Sequence, residues 1–300
     1  MNTKLEGVKP VATWRKYVSL VKFSHTIFAM PFALIGFSLA LIKSHATIER
    51  PWWQLLLLVV LCMVFARSAA MAFNRWLDAS YDSLNPRTAV REIPRGLITP
   101  NNALIFVIVN SLAFILCCYL INTICFLLSF VALFVILFYS YTKRFTPLCH
   151  LVLGVGLSLA PIGAFLAVSG RFEWLPIIFS LTVLFWVSGF DIIYALQDEE
   201  FDKSNNLWSI PAWLGKKSAL HFSSFLHILS AVCIIVAGVY GHFSIYYWVG
   251  VTVFIGMLIY QHSLVKPTDL SKVNLAFMTA NGIASVIFSI FVMLDLFFNV

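Results

Sequence analysis

Charge is what this chain is short of. Asp, Glu, Lys and Arg make up 11% of its 300 residues, against about 25% in a soluble domain. Hydrophobic residues make up 61% and the mean hydropathy is +0.91. That shortage excludes a water-soluble globular fold and implies an integral membrane protein. Low-complexity stretches and any segment that reads as a soluble domain are absent, so residues 1–300 read as a single membrane domain. The apolar segments are continuous and do not alternate with polar residues, which argues against a β-barrel. CxxC pairs are absent as well. The six cysteines (62, 117, 118, 125, 149 and 233) lie in or beside apolar segments with no histidine cluster. They read as small packing residues, neither disulfide partners nor thiolate ligands.

What remains is apolar sequence in lengths that suit a bilayer. Three hundred residues, at about 20 per span with short loops, allow roughly nine transmembrane helices. They are expected at 18–43, 54–77, 102–121, 124–142, 148–169, 175–195, 218–239, 244–264 and 273–296. The first lacks the small-residue cleavage site of a signal peptide and is read as retained, with His25 a packed or interfacial side chain. Two long polar connections interrupt the pattern, at 78–101 and 198–217.

The net charge of +7 need not mean nucleic acid, and none is expected as a partner. Its distribution is better explained by topology. The N-terminus and the connections after the second, fourth, sixth and eighth spans hold 16 of the 20 Lys and Arg. By the positive-inside rule these segments are cytoplasmic and the C-terminus is outside, in a cytoplasmic (inner) membrane.

The acids are as uneven. Eight of 13 fall at 78–92 and 191–202, just where two apolar spans end. On a helix, Arg67, Asn74 and Asp78 lie within roughly 40° of one face, with Asp82 about 40° further round. Asp191, Asp198 and Asp202 share a face in the same way. A polar stripe at the mouth of a membrane helix is costly unless it binds something. Opposed carboxylates can hold hard divalent cations such as Mg²⁺, completed by water and phosphate oxygens. Arg87, Arg91, Lys143 and Arg144 fall beside them and can clamp a diphosphate. Two other readings stay open on spacing alone. The carboxylates could simply pair with these cations, or serve a cation-coupled transporter.

Motifs narrow the choice. Asn74-x3-Asp78-x3-Asp82, followed by Arg87-Thr88 and Arg91-Glu92-Ile93-Pro94-Arg95-Gly96, resembles the first aspartate-rich motif of the UbiA superfamily of intramembrane prenyltransferases. Asp191-x2-Tyr194-x3-Asp198-x3-Asp202 resembles its second. Tyr139-Ser140-Tyr141-Thr142-Lys143-Arg144-Phe145-Thr146 is similar to the segment that follows the family's fourth helix. The resemblance implies an all-α, nine-helix bundle around a lipid-open cavity with a cytoplasmic cap. It also implies Mg²⁺-dependent transfer of a polyprenyl group from its diphosphate. Asn74, Asp78 and Asp82 would hold one ion, and Asp198 and Asp202 the other. Asp191, with Tyr194, would lie nearer the reacting carbon or the acceptor. Within the superfamily the nearest pattern is the 4-hydroxybenzoate polyprenyltransferase type, in which an arginine at the position of Arg67 would meet an acceptor carboxylate. This branch serves ubiquinone and menaquinone biosynthesis. One departure is Asn206-Leu207-Trp208-Ser209-Ile210-Pro211, which is more like relatives proposed to prenylate 1,4-dihydroxy-6-naphthoate in the futalosine route to menaquinone. The acceptor, a small hydroxylated aromatic acid, therefore stays open between the two.

Overall fold

The computed structural model describes residues 13–21, 28–44 and 50–298, and His25 lies outside them. Among the described residues, twelve α-helices follow one another: α1 (Thr13–Val21), α2 (Met30–Lys43), α3 (Trp52–Leu77), α4 (Ala79–Leu84), α5 (Pro100–Ile121) and α6 (Thr123–Thr142). The second half holds α7 (Cys149–Ser169), α8 (Trp174–Ala195), α9 (Glu199–Ser204), α10 (Ile210–Tyr240), α11 (Ile245–Leu264) and α12 (Asn281–Phe298). Among the described residues, no strand is present, as expected of a bundle in lipid, where helices satisfy their own backbone groups.

Among the described residues, eight helical stretches are long and apolar enough to cross a membrane, and they correspond to the second to ninth expected spans. Of the first expected span, 18–43, the described residues hold the end of α1 and the 14-residue α2, which follows a turn over Phe28–Ala29 and carries Pro31 in its first turn, while 22–27 lie outside them. At 1.5 Å per residue α2 is about 21 Å long, short of the roughly 30 Å hydrocarbon core. The other eight begin and end within a few residues of their expected limits, except that α10 starts at Ile210, eight residues before the expected 218, and that α12 proper starts at Asn281, the expected start at 273 being taken by a π-helical turn over Leu275–Ala280.

Side-chain caps mark several starts. Thr99 accepts from the Asn102 N–H, and Asn122 accepts from the Cys125 N–H at 2.8 Å, so α5 and α6 are joined by Asn122 alone. Helices α7, α8 and α10 pack side by side, α2 lies against α7 and α12, and α3 lies against α5 and α6. Large aromatics fill the centre: Phe32, Phe179, Trp186, Tyr247, Phe254 and Phe288 are all fully buried. Where α2 crosses α7 the backbones nearly touch. A Cβ at Gly36 would lie 2.0 Å from the Pro161 carbonyl oxygen.

Two irregularities depart from straight spans. Gly215 takes φ +76°, which breaks α10 into a short first arm and a long spanning arm. A π-helical turn over Leu275–Ala280 opens the ladder just before α12. Its freed carbonyls are satisfied from side chains. Gln261 Nε2 donates to the Ala276 oxygen at 3.2 Å, and Asn281 Nδ2 donates to the Phe277 oxygen at 2.9 Å.

Candidate active site

The carboxylates sit where spans give way to connections. Helix α3 ends at Leu77 with Asp78 as its C-cap residue, so the expected continuous stripe bends there and Asp82 stands on α4. The bend is slight, because the Asp82 N–H still donates to the Asp78 carbonyl at 2.8 Å. Helix α8 likewise ends at Ala195 and tightens through a 3₁₀ turn over Leu196–Asp198 into α9. Asp191 is therefore on α8, Asp198 in the turn and Asp202 on α9. Both polar connections hold short helices of their own, α4 and α9.

All four expected phosphate-binding cations meet the expected carboxylates. Lys143 Nζ lies 2.7 Å from Asp78 Oδ2, and Arg144 Nη2 donates to Asp78 Oδ1 at 3.2 Å. Asn74 Nδ2 donates to Asp78 Oδ2 at 3.2 Å. Arg91 Nη1 donates to both oxygens of Asp82 at 2.7 and 2.8 Å. Arg87 reaches across to the second motif. Its Nε donates to Asp198 Oδ1 at 2.9 Å, its Nη2 to Asp198 Oδ2, and its Nη1 to the Tyr194 hydroxyl at 3.0 Å. Burial alone would lower the Arg87 pKa, but Asp198 holds it above the ordinary arginine value through its hydrogen bond and its charge, and Tyr194 adds to this. The second connection also meets the α6–α7 loop through backbone, since the Trp208 N–H donates to the Lys143 carbonyl at 2.7 Å.

Sequence reasoning missed several participants. Asn85 accepts from the Arg87 N–H at 2.9 Å and donates through Nδ2 to Asp198 Oδ1 at 3.1 Å. Its place before Pro86 was a readable turn signal. Arg75, which in the sequence is only one more cation near the end of the second span, is buried against Glu92 at 3.2 Å and anchors the first connection to α3. His150 was not singled out at all, although its Nδ1 lies 2.7 Å from Asp191 Oδ2. Tyr194 stacks on Phe277, ring centroids 4.3 Å apart, so the π-helical turn supports the site from beneath.

Below the carboxylates an apolar cavity of about 350 Å³ runs between α3, α6 and α7. Its α3 lining extends from Val59 to Met71, which ends one turn from Asn74. Twelve residues of helix make that about 18 Å. Arg67 and Tyr139 line it, along with Cys62, Cys118 and Cys125. Cys62 and Cys118 are free thiols with sulfurs 3.7 Å apart. Of the expected site residues Arg67 alone belongs to this lining, while the others cluster at the ends of α3, α6 and α8.

Among the described residues, no three His, Cys, Asp or Glu side chains are gathered into a ready-made metal site. The donor set nonetheless fits Mg²⁺. It is all oxygen, spread over two facing motifs, and Mg²⁺ needs only one or two protein carboxylates when phosphate oxygens and water supply the rest.

Comparison with known proteins shows what this chain is similar to. The chain is 30% identical over 241 residues to the 4-hydroxybenzoate octaprenyltransferase of Aliivibrio fischeri, covering 79% of this chain and 83% of that protein. It superposes on the apo structure of a UbiA homolog from Aeropyrum pernix K1 with a TM-score of 0.77 at 29% identity, over 92% and 98% of the two chains. A UbiA homolog from Archaeoglobus fulgidus bound to DMAPP and Mg²⁺ shares the fold, with a TM-score of 0.75 at 20% identity over 94% and 99%. With two opposed aspartate motifs over an apolar cavity, and with residues 29–283 matched by the model of the UbiA prenyltransferase family, this multi-pass membrane chain belongs to that family and is a prenyltransferase.

Proposed function

We propose that the protein transfers a polyprenyl group from polyprenyl diphosphate to 4-hydroxybenzoate, with Mg²⁺, in respiratory quinone biosynthesis. The observation that carries this reading is the paired cluster of carboxylates and cations at the ends of α3, α6 and α8. Asp78, Asp82 and Asp198 each face a basic side chain able to exchange a carboxylate for a phosphate. Asn74, Asp78 and Asp82 would hold one Mg²⁺, and Asp198 and Asp202 the other. When bound, Mg²⁺ supplies Lewis-acid stabilisation of the departing diphosphate. Arg87, Arg91, Lys143 and Arg144 turn from their carboxylates to the phosphate oxygens and hold the leaving group in place. The prenyl chain extends into the apolar cavity between α3, α6 and α7, whose walls exclude water from the allylic cation. Arg67 meets the acceptor carboxylate, since an unpaired carboxylate in an apolar cavity is costly. Asp191 takes the phenolic proton of the acceptor, and Tyr194, hydrogen-bonded to Arg87, orients the diphosphate end. The 4-hydroxybenzoate octaprenyltransferase among its relatives and the neighbour bound to DMAPP and Mg²⁺ support the reading.

The test is prenyl transfer by purified protein in liposomes with no ion gradient. Asp78→Ala and Asp198→Ala should each lose at least ~10²-fold in turnover, about 3 kcal/mol, and EDTA should abolish it. Full activity in either variant or in EDTA would overturn the metal role. Offering 4-hydroxybenzoate and 1,4-dihydroxy-6-naphthoate side by side decides the acceptor. Turnover of the naphthoate alone would move the enzyme to the other quinone route.

A further inference from the structure

His150 is a buried histidine at the first turn of α7, 5% exposed, in a wall of the bundle where a bare imidazole would be costly. Both its nitrogens are used. The Ile210 backbone N–H can only donate, and it donates to Nε2 at 3.3 Å. Nε2 is therefore an acceptor, and the proton belongs on Nδ1, which donates to Asp191 Oδ2 at 2.7 Å. Ile210 opens α10, and the residue before it, Ser209, caps that helix by accepting from the Ala212 N–H at 3.2 Å. The same Ser209 hydroxyl donates to Asp202 Oδ2 at 2.8 Å. A continuous line thus runs from Asp202 through the Ser209–Ile210 backbone and His150 to Asp191.

We infer that His150 is a positioning residue. It fixes the Asp191 carboxylate in one rotamer and ties that rotamer to the start of α10, and so to Asp202 at the diphosphate end. This rests on the proposed role of Asp191 at the acceptor. Asp191 is 23% exposed and free to meet a substrate, while His150 is sealed behind it and touches none. A carboxylate near the end of a span has two oxygens and a freely turning χ2. One fixed donor leaves Oδ1 in a defined direction toward the acceptor. The link also explains why the second motif extends beyond its aspartates. The length of chain from Asp202 to Ile210 sets where the α10 N–H falls, and therefore which tautomer His150 holds.

Two amide variants separate the two bonds. In His150→Asn the amide nitrogen takes the place of Nδ1 and keeps the bond to Asp191 while losing Ile210. In His150→Gln the amide reaches the place of Nε2 and keeps Ile210 while losing Asp191. The expected result is that His150→Asn retains kcat within about 5-fold. His150→Gln should lose about 10- to 100-fold in kcat with the KM for polyprenyl diphosphate unchanged. Asp191→Asn should lose more, and His150→Gln should add nothing further in that background. A His150→Gln enzyme equal to wild type overturns the inference, as do equal losses in both amide variants accompanied by equal drops in thermal stability. Full activity in Asp191→Asn instead overturns the role of Asp191 itself, whatever the His150 variants do.

Discussion

A guanidinium already bound to a carboxylate can still serve a phosphate, because both partners present oxygens in the same planar, bidentate geometry. Arg87 holds Asp198 with two of its nitrogens and Tyr194 with a third, so its fork is set before any substrate arrives. Lysine at such a position would keep the charge and lose the fork. The same reasoning applies to Arg67, which lines the apolar cavity about two turns below Asn74. If Arg67 binds the acceptor carboxylate, Arg67→Lys raises the acceptor KM by about 10-fold or more and leaves the prenyl diphosphate KM within about 2-fold. Steady-state kinetics with each substrate varied in turn checks this. Equal KM changes for both substrates would assign Arg67 to the charge balance of the stripe. Most of these residues were legible before the fold was known, because charge in a chain this apolar stands out. His150 and Asn85 were not. Each is an unremarkable polar residue, and only the partner brought to it by folding, 41 and 113 positions away, gives it a role.

At the level of elements, spans were readable to within a few residues because twenty apolar residues in a row admit little else. Their interruptions were not. The break at Gly215, the π-helical turn before α12 and the 3₁₀ turn at Leu196 each depend on what the neighbouring helix offers the freed backbone groups. Helix approach was equally hidden. Without a hydrophobic force between helices in lipid, close packing relies on small residues. Gly36 is such a point, since a methyl group there meets the rigid backbone of α7 beside Pro161. Gly36→Ala should therefore destabilise the fold by about 1–3 kcal/mol through overpacking. Gly256→Ala is the comparison, because nothing lies within 4 Å of an added Cβ there and alanine is the better helix former. Thermal unfolding in detergent should rank Gly36→Ala below wild type and Gly256→Ala at or above it. A Gly36→Ala protein as stable as wild type would mean that α2 and α7 stand further apart than described.

On the scale of the whole molecule, one asymmetry organises both topology and chemistry. The cations that set orientation by the positive-inside rule are in part the cations that pair with the carboxylates, so Lys143, Arg144, Arg87 and Arg91 serve both purposes. An enzyme whose substrate carries a diphosphate needs its basic connections on the side where soluble diphosphates are made, and its apolar cavity opening toward the lipid. We therefore expect the ends of α3, α6 and α8 to face the cytoplasm, together with the exposed loop at Lys266, and Arg50 to face outside. Arg50→Cys and Lys266→Cys place thiols at exposed positions on the two sides. The six natural cysteines are half-buried or buried within the bundle. In right-side-out vesicles a membrane-impermeant maleimide should label Arg50→Cys and spare Lys266→Cys until detergent is added. In inverted vesicles the order should reverse. Labelling of Lys266→Cys in intact right-side-out vesicles would turn the molecule over and remove the diphosphate site from the cytoplasm, because an even number of spans separates that loop from each connection: α5 to α8, α10 and α11 from the first, and α10 and α11 from the second.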